Sequence, residues 1–218
     1  THLTRANNQL NDVRALSGLT QLTVLYLTGN QITDVSALKE LKQLKHLRLD
    51  QNKISDLNAL VSALKELKQL TVLWLDDNHL TDVTALTDLT QLTKLSLNDS
   101  QIRDISVLKE LKQLRRLGLY NNQISDLSPL VSALKELKQL EELGLNENQI
   151  SDVDSLKELT RLTYLHLAAN KISDVSALKE LKQLEELNLR GNPDLTKAQI
   201  DELKKALPKC KIFSNPTK

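Results

Sequence analysis

The only Trp, all three Tyr and two of the four His of this 218-residue chain stand at the third, fifth or seventh place of one recurring sequence frame. Tyr26, His46, Arg48 and Trp74 form a first group of such residues, and Arg116, Tyr120, Tyr164 and His166 form a second. Trp, Tyr and Arg on a surface supply large, stiff contact area with a polar tip, which is the chemistry of macromolecular recognition. Asp50, Asp76, Asp77 and Asp99 lie beside the first group. Carboxylates one strand apart favour a counter-charge, either a basic segment of a partner or a hard cation such as calcium. A solvated acidic edge accounts for the same residues without any ligand, and no metal is expected. The aromatic residues have a plainer reading too, as cross-strand packing on an exposed sheet.

Catalysis has no comparable footing. The chain shows no nucleophile beside a base, no carboxylate pair in a cleft and no His/Cys metal spacing, and with only 5 Gly it has no phosphate loop. His46 and His166 are expected five strands apart. No catalytic residue and no cofactor is expected, so the chain reads as a non-enzyme. Cys210 is the only cysteine, which excludes an internal disulfide. Its setting, LPKCKIF, reads as a buried thiol in a terminal strand.

The frame that places these residues is L-x-x-L-x-L-x-x-N-x-I, seen as LKHLRLDQNKI at residues 44–54. Its ninth position is Asn8, Asn30, Asn52, Asn78, Ser100, Asn122, Asn148, Asn170 and Asn192, at spacings of 22, 22, 26, 22, 22, 26, 22 and 22. Such a period marks a solenoid in which each unit buries its leucines only against its neighbours. The L-x-L alternation makes a short strand, and eight complete strands stack into a parallel sheet. The third, fifth, seventh and eighth frame positions then face the concave side. The asparagines form a structural ladder in which each carboxamide bonds backbone groups of its own and the next coil. Ser100 breaks that ladder, because a hydroxyl reaches less far.

Four residues beyond each of the first eight ladder positions stands an aspartate, from Asp12 to Asp174. These carboxylates are expected to accept backbone N–H bonds at the entry to the returning segment. That segment is nearly constant, with KELKQL five times, and reads as a solvated convex face. Units of 22 residues have room for a 3₁₀ turn. The 26-residue units, lengthened by LVSA at 60–63 and 130–133, gain about one helical turn and should carry an α-helix. The organisation is one array over 1–218, with a partial repeat at 1–18, full repeats at 19–192 and a closing cap at 193–218. In the cap, Thr196 and Gln199 stand at capping-box spacing before a helix that Pro208 ends.

The extended frame L-x-x-L-x-L-x-x-N-x-I-x-D-V/I-S-x-L, which residues 44–60 and 114–130 follow with Leu57 and Leu127 at the V/I place and Asn58 at the Ser place of the first, resembles the leucine-rich repeat family. Its 22-residue version resembles the internalin-type repeats of bacterial surface proteins. The resemblance covers about residues 3–195 and implies an α/β fold, a leucine-rich repeat solenoid with parallel strands on the concave face and short 3₁₀ or α-helical segments on the convex face. It further implies protein–protein recognition. Two features depart from it: no helical cap precedes the first unit, and the 26-residue units carry KELKQL.

A net charge of +1, from 29 Lys+Arg and 28 Asp+Glu, gives no electrostatic reason to expect nucleic acid. No apolar run is long enough for membrane insertion. The expected partner is a protein or peptide on the concave face, met by Tyr26, His46, Arg48, Trp74, Asp76, Arg116, Tyr120, Tyr164 and His166. An open sheet edge near Leu3 and Leu10 also invites weak end-to-end self-association. Both a bacterial surface or secreted setting and a cytoplasmic one stay open, as do two rival readings. One is a consensus-type scaffold without a ligand, favoured by the repeated KELKQL and the absence of Met. The other is the recognition arm of a larger bacterial surface or signalling protein.

Overall fold

The computed structural model describes residues 1–127 and 137–215. Three-residue strands follow one another as β1 (His2–Thr4), β2 (Val24–Tyr26), β3 (His46–Arg48), β4 (Val72–Trp74), β5 (Lys94–Ser96), β6 (Arg116–Gly118), β7 (Glu142–Gly144), β8 (Tyr164–His166), β9 (Glu186–Asn188) and β10 (Lys211–Phe213). All ten pair in parallel, in chain order, in one sheet. The eight full-repeat strands are β2–β9, the cap adds the terminal strand β10 beyond Cys210, and the partial repeat adds β1. Leu3 of the partial repeat falls in register with Leu25, and Ile212 of the cap with Leu187. A terminal strand needs only one neighbour's ladder, so both ends extend the sheet to about 45 Å at roughly 4.8 Å per strand.

The middle leucine of each full-repeat strand, from Leu25 to Leu187, is buried, as is the leucine two residues on. Behind them Ile32, Val35, Leu38, Leu41 and Leu44, and their equivalents in later coils, complete one continuous apolar core. A coil alone could not exclude water from these side chains. Stacked coils do, and each buried leucine contributes on the order of 1.5–3 kcal/mol.

The convex side follows unit length. The 22-residue units hold 3₁₀ turns at Ser36–Glu40, Thr84–Asp88, Ser106–Glu110, Asp154–Glu158 and Ser176–Glu180. The LVSA insertion at 60–63 lies in a true helix, α1 (Leu57–Leu64), with Leu57, Leu60, Val61 and Leu64 on its buried face. The matching LVSA at 130–133 lies outside the described residues. Entry aspartates act as expected, with a difference tied to length. In the short units Asp34, Asp82, Asp104, Asp152 and Asp174 accept the N–H two residues on, whereas Asp56 accepts from Ala59, three residues on, as an α-helix requires.

The cap helix α2 (Lys197–Ala206) has the expected capping box, with Thr196 Oγ1 accepting from the Gln199 amide and the Gln199 side chain accepting from the Thr196 amide. Ile200 and Leu203 close the core, while Lys204 and Lys205 face solvent. Cys210 precedes β10 and is half-buried against the core, and burial pushes its thiol up to about 11.

Candidate functional site

The asparagine ladder locks the coil edges beneath the sheet. Asn52 Nδ2 donates to Leu49 O of its own coil and to Leu27 O of the preceding one, while its Oδ1 accepts from Ile32 N, also of the preceding coil. Asn30, Asn78, Asn122, Asn148, Asn170 and Asn192 are likewise buried and all reach back in this way. The ladder thus ties each coil to the one before it, not to the next. Asn8 is exposed and is no rung, its amide nitrogen donating to Ala6 O. Ser100 reaches only Asn78 O at 3.5 Å and Asn98 O at 3.4 Å, and makes no bond to a strand carbonyl.

A second ladder, not anticipated from the residues, runs along the seventh frame position. Asp50 Oδ1 accepts from Asp76 N, Asp76 Oδ1 from Asn98 N, Asn98 Oδ1 from Tyr120 N, and Asn146 Oδ1 from Ala168 N. This position was read as free for a ligand. Asp50 is instead only 7% exposed, and Asp76 is half-buried. Burial, reinforced by Asp76, pushes the Asp50 carboxyl up to about 6, and burial likewise raises Asp76. The eighth position turns the chain out of the strand with a positive φ in every coil from Gly29 to Gly191, at Gln51, Asp77, Asp99, Asn121, Glu147 and Ala169 among others.

The third and fifth positions remain as the open concave surface. In the fifth, Tyr26, Arg48 and Trp74 are in register on adjacent strands. The Arg48 guanidinium lies 3.4 Å from the Trp74 ring centroid and 5.1 Å from that of Tyr26, a cation between two aromatic faces. His2 extends the stack with an edge contact to Tyr26, 4.9 Å between centroids. It was missed because it sits in the partial repeat, although His2-Leu3-Thr4 fits the strand frame. His46 is beside the stack, between Val24 and Val72 in register, and burial together with Lys94 and Lys45 lowers its pKa.

The second group does not gather into one cluster. Arg116 pairs with Glu142 at 3.3 Å, Tyr120 donates to Glu147, and Tyr164, 39% exposed, donates to Glu185. These bonds raise both phenol pKa values. Between the two groups the fifth position shrinks to Ser96, Gly118 and Gly144. The result is a trough of about 340 Å³ with Trp74 at one end and His166 at the other, Lys94, Arg116 and Glu142 along one wall, and Asp76, Asn98, Tyr120 and Asn146 along the other. Among the described residues no group of three or more His, Cys, Asp or Glu could hold a metal ion, and no helix is long and apolar enough to cross a membrane.

A parallel sheet on the inner side, 3₁₀ turns outside and an asparagine ladder between them define a leucine-rich repeat solenoid. The chain belongs to the leucine-rich repeat family: the family model described as Leucine Rich repeats (2 copies) matches overlapping segments at 2–40, 20–66, 42–88, 68–110, 112–158, 138–180 and 160–205. Among solved structures it is similar to internalin C2 from Listeria monocytogenes, with 36% identity over 86% of this chain and 80% of that one and a TM-score of 0.78. An internalin (InlF) of the same organism gives 33% identity over 96% of this chain and 73% of that one, with a TM-score of 0.64. The functional domain of InlJ, also from L. monocytogenes and described as including a cysteine ladder, gives 25% identity over 98% of this chain and 53% of that one, with a TM-score of 0.67. The repeats are therefore internalin-like. A comparison with curated proteins gives no match.

Proposed function

We propose that this chain is a non-enzymatic recognition module that holds a protein or peptide on its concave face. The observation that carries the reading is the Tyr26–Arg48–Trp74 stack on adjacent strands of the concave sheet. Three stiff side chains of the types that dominate interface energetics stand preassembled there, so little conformational entropy is lost when a partner closes over them. The contrast with the convex face supports the same reading. KELKQL recurs almost unchanged there, while the concave third and fifth positions vary from coil to coil. Repeat solenoids of this kind use their concave surfaces for binding.

Within this reading Tyr26, Arg48 and Trp74 are the anchor, with His46 beside it, and Arg116, Tyr120 and His166 border the central trough. Asp76 lends its carboxylate to the backbone of the next coil, and Tyr164 stands apart near the C-terminal end of the sheet. The test is partner capture from bacterial and host-cell extracts by the parent chain and by a Tyr26→Ala, Trp74→Ala, Tyr120→Ala variant with an unchanged melting curve. A partner held by the parent and lost by the variant is the expected result. Equal capture by both would move the site off the concave face, and no capture by either would favour a scaffold without a ligand.

A further inference from the structure

The central trough is bare because of two glycines that are there for different reasons. At Gly118 an added Cβ would come within 2.9 Å of Ser96 Oγ and 3.0 Å of Asn98 Oδ1. Those atoms are tied down, since Asn98 Oδ1 accepts from Tyr120 N and Asn98 Nδ2 donates to Ser96 Oγ. Gly118 is therefore required by the second ladder. At Gly144 an added Cβ would meet nothing closer than 3.8 Å, ordinary van der Waals distance, and no positive φ calls for glycine. Packing does not demand a bare position there, and its one structural effect is to keep the trough open.

The two walls differ in what they leave unsatisfied. On the ladder wall the Asp76, Asn98 and Asn146 side-chain oxygens each accept a backbone N–H of the next coil, and the Tyr120 hydroxyl is given to Glu147. On the opposite wall, among the described residues, no carboxylate lies within ion-pair distance of Lys94, and Arg116 shares Glu142 at 3.3 Å. The cation of this wall without an ion-pair partner is thus Lys94. Trp74 closes one end with an indole whose one face is already covered by Arg48, and the next residue along the row is only Ser96.

We infer that the glycine-floored trough between Trp74 and His166 receives an aromatic side chain of a partner segment whose neighbouring carboxylate pairs with Lys94 and Arg116. This rests on the concave-face reading and goes further by naming the chemistry of the occupant. The aromatic ring gains flat contact over Gly118 and Gly144 and against Trp74, and the flanking carboxylate supplies the counter-charge that Lys94 lacks. A partner segment with basic flanks is rejected by the same wall.

A phage-displayed library of random dodecapeptides, selected on the parent chain, tests this. Binding of each selected peptide is titrated through the emission of Trp74, the only Trp in the chain. The expected peptides carry Phe, Tyr or Trp next to Asp or Glu. Their affinity should fall at least ~tenfold in Lys94→Glu and in Gly144→Leu, which fills the floor, and about as much in the milder Gly144→Ala if Leu perturbs the melt. Peptides without that signature, or unaffected by Gly144 and Lys94 substitution but lost in Tyr26→Ala, overturn the trough assignment while leaving the concave-face reading standing. Peptides insensitive to all of these substitutions, or no binders at all, overturn both.

Discussion

Asp50 shows how one side chain serves the backbone at a cost in charge. Its oxygens accept from Asp76 N and from the Thr28 hydroxyl, so it completes the second ladder, yet it is buried next to another carboxylate. The folded-state value of about 6 lies above the ordinary 3.8. The folded chain therefore binds more protons than the unfolded chain between those values. The contribution of Asp50 to stability is full below about pH 4 and falls as pH rises through 6. Asn at this place, as at Asn98 and Asn146, keeps the accepting carbonyl and removes the charge. Asp50→Asn is expected to stabilise the fold by on the order of 2–3 kcal/mol at pH 7.5 and by little at pH 4, read from thermal melts at the two values. A gain of equal size at both would contradict it. Nothing in the sequence marks Asp50 and Asp76 as a ladder. The row reads Asp, Asp, Asn, Tyr, Asn, and no single residue type runs its whole length to betray a shared task.

At the scale of the coil, the elements that repeat were the ones legible beforehand. Strand positions, the Asn rungs, the Asp entries, the α-helix of the first 26-residue unit and the capping box of the last helix all follow from residue types at constant phase. The direction of the Asn ladder did not, because a carboxamide carries donor and acceptor alike and suits either neighbour. Ser100 stands where this element is weakest. Asn there would accept from Leu80 N and donate to Leu75 O and Leu97 O, by analogy with Asn52 and its partners. Ser100→Asn is expected to add about 1–2 kcal/mol and a few degrees to the melting temperature. An unchanged or lower value would count against the ladder account. The turn that follows each strand gives a second handle. Ala169 has φ 53° with no side-chain group to bond its own backbone, whereas Gly29 and Gly191 take the same conformation freely. Ala169→Gly is expected to be stabilising by roughly 0.5–1 kcal/mol in denaturant titration, the left-handed cost of Ala outweighing the entropy of Gly. Loss of stability would show that strain at this turn is not what limits it.

Across the whole molecule, one continuous core and two ladders hold ten strands in register, and this rigidity is what gives the concave side chains fixed places. The side chains on that surface were legible as a set, since the rare aromatic residues share frame positions. Their grouping was only half legible. Tyr26, Arg48 and Trp74 share one frame position on adjacent strands and do stack. Arg116, Tyr120, Tyr164 and His166 are spread over three frame positions, and Arg116, Tyr120 and Tyr164 are drawn to separate glutamates. The trough between the groups escaped notice because it is built from residues that lack side chains, and absence at Gly118 and Gly144 carries no chemical signature of its own. The account rests on the concave sheet being the surface that meets a partner, and the lone Trp lies on β4, between the aromatic stack and the trough. The most direct measurement is the fluorescence of Trp74 as a captured partner is added to the parent chain. The account predicts a saturable change in Trp74 emission that disappears, together with binding, in a Tyr26→Ala, Tyr120→Ala variant that still melts normally. Saturation of binding with no change in Trp74 emission, and undiminished binding by that variant, would contradict it.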